Sequence, residues 1–331
     1  MNNLNLAIIM ATYNGEKYLK EQLNSILNQT YKNIKLIVSD DCSKDKTVDI
    51  LKEYEKKDER VEIYIQEKNL GVVKNIEFLL SKVNSKYYML SDQDDVWLEK
   101  KVEKSLEKLK EENADLVFGD LEVVDKDLKT VYPSFGDFML LNDKIEKYIN
   151  TDKLNYLYNC VTGCTILAKK ETINYILPLP NESKYLIHDH WIGLMVSLHG
   201  KVAYIKEKYI KYRQHGNNQV GTDKISHGFK KLDQVRELFI NVKLGVLGTY
   251  VKHNDKFPEN KQKLNSQALK YFEMLKDKKN INFKGWNIFH ELYKTEKNMY
   301  YVENFIIMNF PIIGRVLFKI RYIFLKITKK R

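Results

Sequence analysis

Cysteine, proline and long apolar runs are all scarce in this sequence. It has three cysteines (Cys42, Cys160 and Cys164) and five prolines among 331 residues. The cysteines are too few, and too irregularly spaced, for a disulfide framework or a zinc site, so we expect a reduced, cytoplasmic setting. No basic stretch precedes the short apolar run at residues 6–10, and no run reaches about 18 apolar residues, so we expect neither a secretory signal nor a membrane span.

The composition is that of an ordinary folded protein. Hydrophobic residues make up 44% of the chain and charged residues 30%, a balance that excludes the disordered and fibrous classes. A chain of 331 residues can bury a full core, which allows one large domain with a smaller appendage.

Positive charge is concentrated at the C-terminus. The formal net charge of +11 indicates an anionic partner, which could be nucleotide phosphates, nucleic acid or an acidic membrane face. After Asn309, near-continuous apolar residues are interleaved with seven basic residues and no acidic one: Arg315, Lys319, Arg321, Lys326, Lys329, Lys330 and Arg331. This pattern favours an interfacial helix on an anionic leaflet over a terminal helix packed on the core, so we expect a peripheral protein on the inner face of the cell membrane.

The first half of the chain alternates short β-rich runs with amphipathic segments, as in an α/β fold whose parallel sheet is covered by helices. The predicted strands are residues 6–11, 35–39, 61–66, 87–91, 115–118, 165–168 and 201–205. Helical spacing predicts crossover helices near residues 18–27, 48–54 and 73–80. The pattern turns helical after about Thr222, so we place a Rossmann-like domain at 1–222 and a helical C-terminal region at 223–331.

Small, polar or acidic residues follow four successive predicted strands, where open α/β sheets bind ligands. These segments are residues 11–16, 39–43, 69–71 and 91–95. The last contains Asp92, Asp94 and Asp95, whose charges repel one another unless a divalent cation neutralises them. Carboxylate oxygens of this kind suit Mn²⁺ or Mg²⁺. Asp95 has a second interpretation, since it is also placed to cap the following helix.

Seven motifs follow one another between residues 5 and 220. They are Thr12-Tyr13-Asn14-Gly15, Asp40-Asp41, Asn69-Leu70-Gly71, Ser91-Asp92-Gln93-Asp94-Asp95-Val96-Trp97, Val161-Thr162-Gly163-Cys164-Thr165, His188-Asp189 and Tyr212-Arg213-Gln214-His215. In this order they resemble the family 2 inverting glycosyltransferases, which have the GT-A fold. Within that family the fourth and fifth motifs are most similar to those of bacterial rhamnosyltransferases of cell-wall and capsule polysaccharide synthesis.

The resemblance implies a role for each matching residue. Asp189 matches the catalytic base, while Asp94 and His215 match ligands of the metal. The implied donor-binding residues are Thr12, Tyr13, Asn14, Glu16, Asp41, Asn69, Lys74, Asp92 and Arg213. Within that set, Asp41 is expected to hydrogen-bond a uracil or thymine base, and Asp92 to lie near the ribose.

The sequence departs from the family pattern at three positions. Cys42 replaces the glycine that commonly follows the Asp-Asp pair, so the turn there has to form without a glycine. Lys74 replaces an arginine and offers a point charge in place of a bidentate fork. His190 separates the base from the following aromatic residue, so we expect the acceptor pocket to differ from those of relatives.

The chemistry of the later residues agrees with these roles. An inverting transfer needs a base opposite a leaving diphosphate that cations stabilise. Asp189 suits the first task, and Arg213, His215 and a metal suit the second. Asp189 also has a purely structural interpretation as the N-cap of the next helix, and both roles can coexist.

The sequence therefore predicts a metal-dependent hexosyltransferase that moves a sugar from a nucleoside diphosphate to a glycan or lipid-linked glycan. Rhamnose from dTDP-rhamnose is the favoured donor, with a glucosyl or galactosyl UDP-sugar as the alternative. A non-catalytic module that binds nucleotides or nucleic acid is the alternative from another class. The acidic segment at residues 92–95 argues against nucleic acid, because it would repel a phosphate backbone.

Overall fold

The computed structural model describes residues 5–138, 159–215 and 232–277, together with residues 145, 149, 287–288 and 292. These residues fall into two compact units, the first drawn from 1–181 and 187–222 and the second from 182–186 and 223–331. The basic tail and its predicted interfacial helix lie outside the described residues.

A seven-stranded sheet forms the centre of the first unit. Its strands are β1 Leu6–Thr12, β2 Ile34–Asp40, β3 Val61–Ile65, β4 Tyr87–Ser91, β6 Leu116–Gly119, β9 Leu167–Lys169 and β10 Val202–Ile205. Their order is β10-β6-β9-β4-β1-β2-β3. All neighbours are parallel except β9, which runs antiparallel to both β4 and β6. The parallel strands β1, β2 and β4 are almost fully buried, as expected for a sheet covered on both faces.

Four amphipathic helices cover this sheet: α1 Leu19–Leu27, α2 Thr47–Lys57, α3 Val72–Ser81 and α4 Lys101–Glu111. Leu19 and Leu23 of α1 belong to the same core cluster as Ile8 and Met10 of β1. Contacts of α3 with β1 and β2 complete the packing of these strands. The helices and strands confirm the predicted α/β architecture.

A second, smaller sheet lies beyond the acidic segment. Its strands are β5 Val96–Trp97, β7 Glu122–Val124, β8 Thr130–Tyr132 and β11 Ile210–Arg213, in the order β5-β11-β7-β8. Lys211 pairs with Val96, and Arg213 pairs with Val124. This sheet therefore brings the last predicted motif next to the residues that follow Asp95.

Among the described residues, three helices and two 3₁₀ turns lie between β8 and β10 in the sequence. The helices are α5 Phe135–Phe138, α6 Ile173–Ile176 and the longer α7 His188–His199, with 3₁₀ turns at Gly163–Thr165 and Lys170–Thr172. The strand predicted at residues 165–168 begins later than expected. Thr165 closes the first 3₁₀ turn by donating its N–H to Thr162 at 2.9 Å, so the extended strand starts only at Leu167.

The second unit contains the helices α8 Leu232–Lys252 and α9 Glu259–Lys276, joined through a 3₁₀ turn at Asn254–Lys256. Arg236 donates to the carbonyl of Leu275 at 3.1 Å, which links the two helices. These helices confirm the predicted helical C-terminal extension. None of the helices in the described part of the chain has both the length and the apolar character needed to cross a bilayer.

Candidate active site

A buried carboxylate joins the carboxyl ends of β1 and β2. Thr12 and Asp40 are neighbours in register, and both are buried. Asp40 accepts hydrogen bonds from Thr12 Oγ1 at 3.0 Å and from the N–H of Ser43 at 2.9 Å. Asp40 thus holds the edge of the crevice together, and Thr12, a predicted donor-binding residue, is part of that support.

The loop after β1 is fastened to the loop after β2 by side chains predicted to bind the donor. Asn14 adopts a φ of 48°, a left-handed conformation that asparagine tolerates. Its Oδ1 accepts from the N–H of Lys44 at 2.8 Å, and Glu16 Oε2 accepts from the N–H of Lys46 at 2.9 Å. All three residues are exposed, and with 48% of its surface accessible Tyr13 offers an aromatic ring to a ligand.

Asp41 organises the loop that follows β3. Its two carboxylate oxygens accept from the N–H groups of Leu70 and Gly71 at 2.7 and 2.9 Å. Asn69 donates its side-chain amide to the Asp41 carbonyl at 3.2 Å. The structure therefore brings the predicted residues Asp41 and Asn69 together. A carboxylate has about four lone-pair sites, so Asp41 keeps the capacity to accept from the imide of a base.

Two departures from the family pattern lie in this region. Cys42 adopts a φ of 69°, a left-handed conformation that costs a residue with a Cβ roughly 1–2 kcal/mol. The turn thus keeps the shape that a glycine would give it. Lys74 Nζ pairs with Glu77 at 2.9 Å along α3, and the other oxygen of Glu77 accepts from the N–H of Leu179 at 2.7 Å.

The acidic segment after β4 is anchored by two glutamines that sequence reasoning missed. Gln22 of α1 is buried and donates to Ser91 Oγ at 2.8 Å and to the carbonyl of Asp92 at 2.9 Å. Gln93 exchanges two hydrogen bonds with the backbone of Tyr13, at 2.9 and 3.1 Å. A signal for Gln22 was present, because it falls on the apolar face of α1, where a polar side chain needs a partner.

The carboxylates of this segment are crowded. Asp92 is an exposed residue, yet its carboxyl group lies among protein atoms. This loss of solvation, with the negative charges of Asp94 and Asp189, raises the pKa of Asp92 to about 7. Burial and the negative charges of Asp94 and Asp92 raise the pKa of Asp95 well above its usual value. A divalent cation would relieve this repulsion, because it stabilises the ionised carboxylates.

Arg213 ties the end of β11 to the acidic segment. Its backbone N–H donates to Asp95 Oδ1 at 3.0 Å, and its Nε donates to the Asp94 carbonyl at 2.8 Å. Its Nη2 pairs with Glu21, which lies 192 residues earlier in the chain. Arg213 is only 2% exposed and lies 4.4 Å from the Tyr18 ring centroid. This geometry makes Arg213 a positioning residue, and its contact with a donor diphosphate stays a prediction.

His215 and Asp94, the two predicted metal ligands, are in direct contact. His215 Nε2 lies 2.9 Å from Asp94 Oδ2, and both side chains keep some exposure. The His215 ring packs against Tyr18 with centroids 4.9 Å apart. Two ligands of one metal at about 2.1 Å lie about 3 Å from each other, so the separation of these two atoms is compatible with a shared divalent cation.

A second group of donor atoms lies nearby. One ligand atom each from Asp92, Asp95 and Cys164 are all within 4.8 Å of one another. A thiolate suits softer metals than Mn²⁺ or Mg²⁺, and burial with the neighbouring aspartates raises the pKa of the Cys164 thiol well above its usual value. This second group therefore suits the predicted hard cation less well than Asp94 and His215, whose role as its ligands stays a prediction.

Asp189 lies in the first turn of α7, one residue inside the helix. Its carboxylate accepts from the N–H groups of Gly163 and His190 at 3.1 and 2.6 Å and from the Asn159 amide at 3.0 Å. Burial raises the pKa of Asp189, which strengthens it as a base. Its contact with His190 N–H satisfies one free donor of the helix start. Ile187 holds the N-cap position, so Asp189 is not the N-cap that the sequence suggested.

The sequence of residues 7–176 matches the family model described as glycosyl transferase family 2. The match covers half of the chain and includes the acidic segment and the carboxyl ends of β1 and β2. The chain belongs to glycosyl transferase family 2.

Relatives of this family 2 transferase include enzymes of known donor or pathway. It is 30% identical over 240 residues to the dTDP-rhamnosyl transferase RfbG of Shigella flexneri, covering 69% of this chain and 79% of that one. It is 28% identical over 225 residues to a putative teichuronic acid biosynthesis glycosyltransferase, TuaG of Bacillus subtilis, covering 66% and 82%. The crystal structure of TarS 1–349 from S. aureus with UDP-GlcNAc is 18% identical, with a TM-score of 0.55 over 92% of this chain and 81% of that one. This likeness shows the GT-A fold.

The transferase brings most of the predicted site residues together beyond the carboxyl ends of its parallel strands. Asp94 meets His215 directly, and Asp92 lies close enough to Asp94 and Asp189 for their charges to interact. Lys74 is paired along its own helix, so its contact with the donor stays a prediction. Tyr18 is a further residue that sequence reasoning missed, since its helical spacing indicated only a core position.

Proposed function

We propose that this transferase is a metal-dependent, inverting hexosyltransferase. It moves one sugar from a nucleoside diphosphate donor to a glycan or lipid-linked glycan acceptor in surface polysaccharide synthesis. The observation that carries the proposal is the 2.9 Å contact between Asp94 and His215. These two residues come from separate motifs, 121 residues apart, and Asp92 of the same acidic segment interacts electrostatically with the candidate base Asp189.

The proposed mechanism assigns separate tasks to the two sides of the site. Asp189 accepts the proton of the acceptor hydroxyl as the oxygen of that hydroxyl bonds to the anomeric carbon. The bond from this carbon to the diphosphate oxygen breaks on the opposite face, so the configuration inverts. Mn²⁺ or Mg²⁺ held by Asp94 and His215 would neutralise the charge that the departing diphosphate gains.

The nucleoside end of the donor fits the loops after β1 and β2. The exposed ring of Tyr13 offers a surface for stacking, and Asp41 keeps lone pairs for the imide N–H of a uracil or thymine. Both bases carry that imide, so these contacts allow dTDP- and UDP-sugars alike. The relative from Shigella flexneri favours dTDP-rhamnose, and the TarS complex with UDP-GlcNAc supports a UDP-sugar as the second candidate.

A relative supports the proposed acceptor, and the C-terminal sequence supports the proposed location of the enzyme. Teichuronic acid biosynthesis, named for the relative from Bacillus subtilis, supports a glycan or lipid-linked acceptor at the cell envelope. The seven basic residues after Asn309 support binding to the inner, anionic face of the cell membrane.

A donor screen tests the proposal. The full-length protein is incubated with dTDP-rhamnose, UDP-glucose, UDP-galactose or UDP-GlcNAc, each with Mn²⁺, Mg²⁺ or EDTA, and the released nucleoside diphosphate is measured. We expect slow, metal-dependent hydrolysis of one donor even without an acceptor. A non-catalytic nucleotide-binding module would bind these donors and leave all of them intact.

A further inference from the structure

A buried lysine lies at the start of α4, shortly after the acidic segment. Only 3% of the Lys101 surface is exposed, and its Nζ lies 3.5 Å from the centroid of the Trp97 ring. Among the described residues this nitrogen has no hydrogen-bond partner. A buried ammonium is costly unless hydrogen bonds and an opposite charge compensate it, so the position of Lys101 calls for an explanation.

Two other buried polar atoms, on residues close to Lys101 in sequence, are in the same condition. Asp95 Oδ2 and Trp97 Nε1 are buried, and neither has a hydrogen-bond partner in the part of the chain that the structure describes. Lys101 interacts electrostatically with Asp95 and Asp92. The Cys164 thiol hydrogen-bonds the Asp95 carboxylate, but a thiol is a weak donor and compensates a buried carboxylate poorly. Two strong donor atoms and one strong acceptor atom are therefore buried within seven residues of sequence without hydrogen-bond partners among the described residues.

The other oxygen of Asp95 connects this cluster to the metal site. Asp95 Oδ1 accepts from the backbone N–H of Arg213 at 3.0 Å. His215 follows two residues later and reaches Asp94 at 2.9 Å. Asp95 therefore fixes the strand end that brings a metal ligand to its place.

We propose that Lys101 is a positioning residue of the metal site. Together with Trp97 it holds the buried oxygen of Asp95, and Asp95 holds the end of β11 so that His215 stays beside Asp94. The side-chain nitrogen of Lys101 also interacts electrostatically with the group of Asp92, Asp95 and Cys164. This inference rests on the proposed metal-dependent transfer, and it places Lys101 out of contact with the metal and the donor.

If Lys101 acted only through its charge, its replacement would strengthen metal binding, whereas loss of a positioning residue weakens it. Removing a positive charge near two carboxylates strengthens their attraction for a divalent cation. Loss of a group that orients a ligand weakens metal binding by about 10–100-fold. The sign of the change in Mn²⁺ affinity therefore distinguishes a positioning role from a simple charge effect.

The test compares two neighbouring lysines in the full-length protein. Lys101→Met keeps the side-chain length and removes the ammonium, while Lys100→Met removes the same charge from an exposed position. Mn²⁺ dissociation constants are measured from the electron paramagnetic resonance signal of free Mn²⁺. We expect binding about 10–100-fold weaker in Lys101→Met and unchanged in Lys100→Met. Equal or tighter binding by Lys101→Met would overturn the proposal.

If Lys101→Met does not fold, Trp97→Phe decides in its place, since it keeps a buried aromatic ring and removes the Nε1 donor together with the five-membered ring. Weaker Mn²⁺ binding by this variant supports the inference, and unchanged binding overturns it.

A double-mutant cycle separates this inference from the proposed function. The melting temperatures of Lys101→Met, Asp95→Asn and the double variant are compared with that of the wild type. If the wild type binds no Mn²⁺, the metal-dependent part of the proposed function fails, and this cycle alone decides about Lys101. A double-variant shift smaller than the sum of the single shifts supports the link between the two residues, whereas additive shifts refute it.

Discussion

Asp189 joins two properties in a single carboxylate. It accepts three hydrogen bonds, which fix its orientation, and burial raises its pKa. Fixed orientation and raised basicity are both required of a group that removes a proton from a sugar hydroxyl.

Asp189→Asn should separate chemistry from binding. Asparagine keeps the shape of the side chain but lacks the basic lone pair, so kcat for transfer should fall by about two to four orders of magnitude. The dissociation constant of the donor, measured by calorimetry with Mn²⁺ present, should change little. A variant that transfers sugar at nearly the wild-type rate would show that Asp189 serves only the helix start.

Replacement of Asp94 tests the metal on the side of the site where the diphosphate is proposed to leave. Asp94→Ala removes one of two ligands that lie 2.9 Å apart, so metal-dependent donor binding should be lost while the melting temperature stays near that of the wild type. EDTA should abolish transfer by the wild type, and Mn²⁺ or Mg²⁺ should restore it. Full activity in EDTA would contradict the metal assignment.

At the scale of elements, α7 depends on a close approach at Gly193. A Cβ at this position would lie 2.6 Å from Val161 Cγ2, and valine has little freedom to rotate away. The helix that carries Asp189 can therefore reach Val161 only because residue 193 has no side chain.

Gly193→Ala should destabilise the protein by about 1–3 kcal/mol, the usual cost of overpacking. It should also lower kcat, because α7 carries the base. Gly248→Ala is the matched control, since a Cβ there meets nothing within 4 Å, and alanine in a helix is about 1 kcal/mol more favourable than glycine. Urea unfolding measures both variants, and a Gly193→Ala protein as stable as the wild type would show that Val161 yields.

The large elements followed from the sequence because their signals are local. The strand predicted at residues 87–91 coincides with β4, and the helix near residues 18–27 matches α1 within one residue. The smaller sheet was not predicted, since β5 has only two residues and exists through pairing with β11, more than one hundred residues later. The burial of Lys101 was not predicted for a related reason, because nothing in a lysine-rich helix start indicates that one of its lysines is buried.

At the scale of the whole molecule, the excess of positive charge is concentrated after Asn309. Removing residues 310–331 should weaken binding to anionic liposomes, because each basic residue near such a surface contributes on the order of 1 kcal/mol. Added salt should weaken binding by the intact protein, since it screens these charges. Cosedimentation with phosphatidylserine vesicles measures both effects, and equal binding by the two proteins would refute the membrane role.

The ion pair between Glu21 and Arg213 also sets an order of events during synthesis. The two residues are 192 positions apart, and a ribosome adds about 5–20 residues per second. Roughly 10–40 seconds therefore pass between the synthesis of the glutamate and that of its arginine. The acidic segment is made during this interval, so the nascent chain carries its clustered carboxylates before β11 exists to hold them. The candidate active site can form only after nearly two thirds of the chain has been translated.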